Sequence, residues 1–183
     1  MTEGAEGADP PTAFDVRSAR PEDLAALADI EMAAGSRYRS VGMHDVADDE
    51  PPPDTEYRSA LDAGLLWVAE AEGRTIGYAW GVDLDGQPHL EQLSVLPEYE
   101  GHGIGTALLD AVATWATSTG AGSLTLSTFR EVPWNSPWYA RRGFEVLPVA
   151  RLDERLLAVR HHEAERGLDV DARVVMRRML PDR

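Results

Sequence analysis

The stretch from Leu93 to Leu109 constrains this chain most. Leu93-Ser94-Val95-Leu96 reads as a strand, Glu100-Gly101-His102-Gly103-Ile104-Gly105 as a glycine-rich turn, and Thr106-Ala107-Leu108-Leu109 as the opening of an amphipathic helix. Glycines let the main chain approach a ligand closely. The first N–H groups of a helix lack an internal acceptor, so they point at whatever negative group lies there. A diphosphate meets that description. Two commoner phosphate loops do not fit the spacing. A nucleoside-triphosphate loop ends in Gly-Lys-Ser/Thr, whereas Gly105 is followed by Thr106-Ala107 with no lysine nearby. The dinucleotide fingerprint fails at its last position, because Gly101-x-Gly103-x-x-Thr106 ends in threonine.

Composition narrows the function classes. A chain of 183 residues is long enough for one domain with a substantial core. No apolar run approaches the roughly 20 residues of a membrane helix, and the first residues lack a basic start followed by an apolar stretch. The expected location is therefore cytoplasmic. Absence of cysteine rules out a disulfide framework and an acyl-thioester on the protein, which leaves direct transfer as the simplest acyl chemistry. A net charge of -15 opposes binding to nucleic acid or anionic membrane and suits a cationic amine partner.

Residues 1–12 carry almost no bulky apolar group and read as a disordered N-terminal tail, leaving 13–183 as a single domain. Phe14–Arg17 predicts a short strand. Ser18, Pro21, Glu22 and Asp23 then start a helix with Leu24, Leu27, Ala28 and Glu31 on one face, ending by Gly35. Asp45–Asp54, with Pro51-Pro52-Pro53, predicts an exposed acidic loop, followed by a helix over Thr55–Ala63. Strands at 65–69, 75–82 and 89–95, separated by turn residues, form an antiparallel meander. The helix after the glycine turn and a strand at Ser123–Thr128 make a parallel crossover. A short helix within Pro133–Arg142, a strand at 144–147, a helix near 153–165 and a strand at 173–176 complete a mixed α/β, mostly antiparallel sheet flanked by helices.

Glu100-Gly101-His102-Gly103-Ile104-Gly105 resembles motif A of the GCN5-related N-acetyltransferases, Gln/Arg-x-x-Gly-x-Gly/Ala. Asn135-Ser136-Pro137-Trp138-Tyr139 followed by Arg141-Arg142-Gly143-Phe144 resembles their motif B. With the order of elements, the resemblance covers Phe14 to Met179. It implies the acyl-CoA N-acyltransferase fold, with a sheet splayed open beside Leu93–Val95. It also implies acetyl-CoA as cosubstrate, its pantetheine on the main chain of Leu93, Ser94 and Val95 and its diphosphate on the amides of Gly101, His102, Gly103, Ile104, Gly105 and Thr106. Asn135 and Tyr139 are implied as further cofactor contacts.

The same resemblance makes Tyr139 the acid that protonates the departing thiolate, a task a phenol suits. Glu91 is the favoured base for the acceptor amine and His89 the second choice, since strand alternation places His89, Glu91, Leu93 and Val95 on one face. Glu100 and His102 stand where the family usually has Gln or Arg and Arg or Lys, and Arg142 or Arg141 could supply the missing positive charge. The implied function is acetyl transfer to a primary amine of a small molecule or protein, the alternative being a non-catalytic acyl-CoA sensor. Acceptor specificity falls to 32–57 and 151–171, and an exposed edge strand near the C-terminus leaves a homodimer open. No metal is expected: His161 and His162 point about 100° apart on a helix and, with Glu163, read as solvated.

Overall fold

Seven strands join one sheet in the order β1-β2-β3-β4-β5-β7-β6 in the computed structural model, which describes residues 13–181. The expected disordered tail, residues 1–12, lies outside the described residues. The first four strands, β1 (Asp15–Ser18), β2 (Leu66–Ala71), β3 (Arg74–Leu84) and β4 (Gln87–Val95), form the antiparallel meander. Its two tight turns, Glu72-Gly73 and Asp85-Gly86, have positive φ at both central residues. That backbone twist matches the twist of the flanking strands, and glycine at the second position relieves half the strain.

The helices are α1 (Leu24–Gly35), α2 (His44–Ala47), α3 (Asp54–Asp62), α4 (Ile104–Ser118), α5 (Ser136–Ala140) and α6 (Glu154–Glu165). Helix α4 buries Ile104, Leu108, Leu109, Val112, Ala113 and Ala116. These pack in one cluster with Tyr78, Leu90, Leu124 and Leu126 of the sheet. Each fully buried leucine contributes about 1.5–3 kcal/mol of apolar transfer, so the stripe alone ties the crossover helix down. A smaller cluster of Leu147, Leu156 and Val175 holds α6 to the far strands. Asp153 caps α6, its Oδ1 accepting from the Leu156 N–H at 3.0 Å.

The crossover lands β5 (Ser123–Phe129) parallel to β4, yet the ladder joins only His89 to Thr125 and Leu90 to Leu126. Beyond Leu90 the strands part. Residues Leu93–Val95 keep their β3 partners Ala79, Tyr78 and Gly77 on one side and have no strand on the other. On the far half of the sheet, β7 (Arg173–Met179) inserts between β5 and the two-residue edge strand β6 (Glu145–Val146).

Three departures from the sequence reading shape the site. The α-helix α1 ends at Gly35 as expected, but the helical path does not: the φ of Gly35 is ordinary, and the chain tightens into a 3-10 helix over Ser36–Val41 that ends at Gly42, where φ is +77°. A glycine stops the helical path where it turns left-handed. Residues 45–54 are not simply an exposed loop, since His44–Ala47 is helical and Pro52 is buried. Finally, the β3–β4 register shifts between Trp80 and Gly81, opposite Gln92 and Leu90, which leaves Glu91 as an extra residue in a β-bulge. A bulge breaks strand alternation, so the shared face expected from His89 to Val95 does not continue through Glu91.

Candidate active site

The gap between β4 and β5 opens into a cleft of about 570 Å³. One wall is the turn into α4. Gly101 and Gly103 have φ of +79° and +84°, and a Cβ at either would meet no atom within 4 Å, so glycine serves the backbone conformation there rather than packing. The N–H groups of residues 101–106 donate to no acceptor among the described residues. Six consecutive free amides at a helix start, beside an unpaired strand edge, form a concave donor surface for an extended ligand ending in a polyanion.

Charge around this cradle is arranged in pairs. Glu100 is held by Arg37, whose Nη1 lies 2.6 Å from Oε1 and whose guanidinium covers the Trp134 ring at 4.0 Å. Arg37 sits on the 3-10 extension of α1, beyond the point where the sequence reading ends that helix. His102 is exposed and its Nδ1–H donates to the Glu100 carbonyl at 2.8 Å. Arg142 lies over Trp138 at 3.5 Å and donates from Nε and Nη2 to Thr106 Oγ1 at 3.1 and 2.8 Å. It thereby brings a guanidinium to the first turn of α4. Arg141 is exposed.

The glycine turn, Leu93, Ser94, Val95, Asn135 and Tyr139 line the same cleft, as do His89 and Glu91. Asn135 is buried, and its amide oxygen and nitrogen lie 3.2 and 2.9 Å from the Tyr38 hydroxyl. Tyr139 meets the edges of Trp138 and Phe144, at ring separations of 4.9 and 5.6 Å, and its hydroxyl bonds to nothing among the described residues. Burial, with the Tyr38 phenol nearby, raises its pKa far above that of a free tyrosine. Trp134 and Trp138 are cleft walls.

The two base candidates differ in surroundings. His89 is 1% exposed, its Nδ1 2.9 Å from Thr125 Oγ1, and burial followed by the Arg173 charge lowers its pKa to about 4. Glu91 is open to water in the bulge but crowded by the cleft walls. Desolvation raises its pKa, the Glu163 carboxylate adds to this, and His162, Arg166 and Arg173 oppose it.

Sequence reasoning passed over two carboxylates of the cleft, one half-buried and one buried. Glu31 Oε2 accepts from Tyr57 Oη at 3.0 Å and from Tyr78 Oη, and desolvation raises its pKa against those bonds. Glu163 is not solvated: it is 7% exposed, with Arg173 Nη2 and Nε at 2.8 and 3.0 Å from Oε1. The neighbouring His161 and His162 are exposed. Buried side-chain polar atoms without a partner among the described residues are Ser127 Oγ, Trp134 Nε1 and Glu163 Oε2. All three residues line this cleft.

Comparison with known proteins agrees with this geometry. The family profile described as an acetyltransferase (GNAT) domain matches residues 62–146, from the end of α3 through the meander, glycine turn and α5 to β6. An aminoglycoside N(6')-acetyltransferase type 1 of Stenotrophomonas maltophilia is 29% identical over 118 residues, covering 60% of this chain and 71% of that protein. A mycothiol acetyltransferase of Propionibacterium freudenreichii is 34% identical over 102 residues, but the match spans 51% of this chain and 33% of the relative. The fold matches the PaiA N-acetyltransferase of Thermoplasma acidophilum, solved with coenzyme A, at a TM-score of 0.66 and 17% identity over 91% of this chain and 99% of that one. Glycine cradle, splayed sheet and family match converge: residues 62–146 match the GNAT acetyltransferase domain, and the chain as a whole shares the fold of solved N-acetyltransferases.

Proposed function

We propose that the protein transfers an acetyl group from acetyl-CoA directly to a primary amine, and that the cleft beside β4 is where it does so. The observation that carries this reading is the run of free amides over residues 101–106 next to the unpaired edge of Leu93–Val95. Those groups fit the cosubstrate: main chain for the pantetheine amides, helix start and Arg142 for the phosphates. When bound, acetyl-CoA supplies a thioester carbonyl open to a nitrogen nucleophile.

The chain's own residues then handle protons. Glu91 accepts one from the acceptor ammonium, a role its raised pKa favours because a base poised nearer neutrality transfers protons best. As the nitrogen–carbon bond forms and the carbon–sulfur bond breaks, Tyr139 donates its phenolic proton to the departing sulfur, and the second proton shed by the nitrogen restores the phenol. Its proton-retaining hydroxyl, without another partner among the described residues, suits an acid. His89, sealed in the sheet and bonded to Thr125, serves to hold β4 and β5 together where their ladder ends. Asn135 and Tyr38, hydrogen-bonded to each other, would form part of the wall against which the cosubstrate lies. Transfer is direct, as the absence of cysteine expects, and a cytoplasmic setting suits a cysteine-free protein.

A small-molecule acceptor is supported by the relative named for aminoglycoside acetylation. The test is to mix the protein with acetyl-CoA and a panel of amines, following thiol release and product mass. Acetylated product with stoichiometric thiol is the expected result. Stabilisation by acetyl-CoA without turnover of any amine would overturn the assignment and leave an acyl-CoA sensor.

A further inference from the structure

Three carboxylates from three elements line the cleft: Glu31 of α1, Glu91 in the bulge of β4 and Glu163 of α6. Two are built in. Glu31 has Oε2 clamped by two tyrosine hydroxyls, Tyr57 and Tyr78, both of which are about 1% exposed or less. Its Oε1 bonds to nothing among the described residues and is not among the sealed polar atoms. Glu163 has both Arg173 contacts on Oε1, so Oε2 is left buried without a donor.

Folded proteins do not leave a buried carboxylate oxygen unsatisfied without reason. The positive groups nearby do not meet it. Arg173 is engaged by Oε1 and by the Ser127 carbonyl, and Arg166 leans toward Asp49 at 3.8 Å. Arg166 acts electrostatically on both Glu31 and Glu91, Glu163 acts on Glu91, and all three carboxylates line the one cleft. What this cleft lacks is a small, desolvated donor carrying positive charge.

We infer that Glu31 and Glu163 form a subsite for a second ammonium group, so that the preferred acceptor is an amine bearing at least two cationic nitrogens, one acetylated beside Glu91 and the other held by Glu163 Oε2 and Glu31 Oε1. The inference rests on the transferase reading above. It narrows the acceptor from any primary amine to diamines, polyamines and amino sugars with several ammonium groups.

The test compares matched acceptors, 1,4-diaminobutane against n-butylamine, with acetyl-CoA saturating and salt low. A hydrogen-bonded charge lost at such a site is worth about a 10- to 100-fold change, so kcat/KM for the diamine exceeds that for the monoamine by about that factor. Glu163→Gln and Glu31→Gln each erase most of the preference by raising KM for the diamine. The KM for n-butylamine and stabilisation by acetyl-CoA stay as in the parent protein. Equal use of the two amines overturns the inference while leaving the transferase reading intact. If acetyl-CoA binds but no amine is turned over, the transferase reading fails instead. Calorimetric titration of 1,4-diaminobutane into the acetyl-CoA-loaded protein then decides the subsite, since binding that weakens at least tenfold in Glu163→Gln supports it and no binding refutes it. Should Glu163→Gln not fold, Glu31→Gln and the wild-type comparison of the two amines decide between the same outcomes.

Discussion

Tyr139 and His89 both line the cleft, and their environments assign them opposite tasks. A tyrosine that keeps its proton and points a free hydroxyl into the cleft is available to give that proton away. Tyr139→Phe is expected to lower kcat about 100-fold, in line with loss of a positioned acid, while the dissociation constant for acetyl-CoA measured by titration changes less than twofold. For His89 the consequence is in stability. Its folded pKa of about 4 lies below the unfolded value near 6.5, so between those values the unfolded chain binds a proton that the native one refuses. Stability from this residue is complete above pH 6.5 and drains away as pH falls toward 4, by about 3 kcal/mol in total. Urea midpoints across pH 4–7 measure that slope, and His89→Gln flattens it. The bulge at Glu91 shows how faint such a signal is in a residue pattern: polar and apolar positions alternate from His89 to Val95 except at Glu91-Gln92, two polar residues in succession, and that one break sits where the register shifts opposite Trp80 and Gly81.

At the level of elements, the joint between α1 and the glycine turn is held by one ion pair, Arg37 to Glu100. Without Arg37 a carboxylate stands unopposed at the lip of an anion cradle. Arg37→Ala is expected to weaken acetyl-CoA binding about tenfold by titration, a loss typical of one charge-assisted contact, and adding Glu100→Gln restores most of it. Gly103→Ala forces an L side chain into φ near +84°, which costs about 1–2 kcal/mol. In a protein of this size each kcal/mol lowers the melting temperature by about 2–4 °C, so calorimetry should show a fall of a few degrees, with reduced stabilisation by acetyl-CoA. The glycine turn, α4 and motif-B helix were legible because their signals are local: left-handed glycines, a 3.6-residue stripe and the spacing from Asn135 through Tyr139 to Gly143-Phe144. Arg37, Glu31 and Glu163 were not. Each lies on a helix whose surface role depends on which distant strand it meets, and Glu163 in particular follows two exposed histidines that make the segment look solvent-facing.

For the whole molecule, the N-terminal strand is fastened by Arg17, which donates to Asp23 at 2.7 and 2.9 Å and to Glu70 at 3.0 Å. Burial alone would raise the Asp23 pKa, but the Arg17 bonds and the Arg20 N–H outweigh it and lower it. Arg17→Met strands a nearly buried carboxylate and should cost about 3 kcal/mol, a drop of about 6–12 °C in melting temperature. Strand order was harder to read than strand existence. The meander and crossover follow from short connections, whereas the insertion of β7 between β5 and β6 joins segments far apart in the chain. Only packing decides it.

The parting of β4 from β5 has a mechanical meaning. Four strands on one side and three on the other share a ladder of two residue pairs, so the halves of the sheet are hinged rather than welded. Whatever fills the gap becomes a splint. Loading the donor should therefore slow solvent exchange of amides in β5 and β7, strands it need not touch, and the emptied protein after each turnover is the looser body from which product can escape.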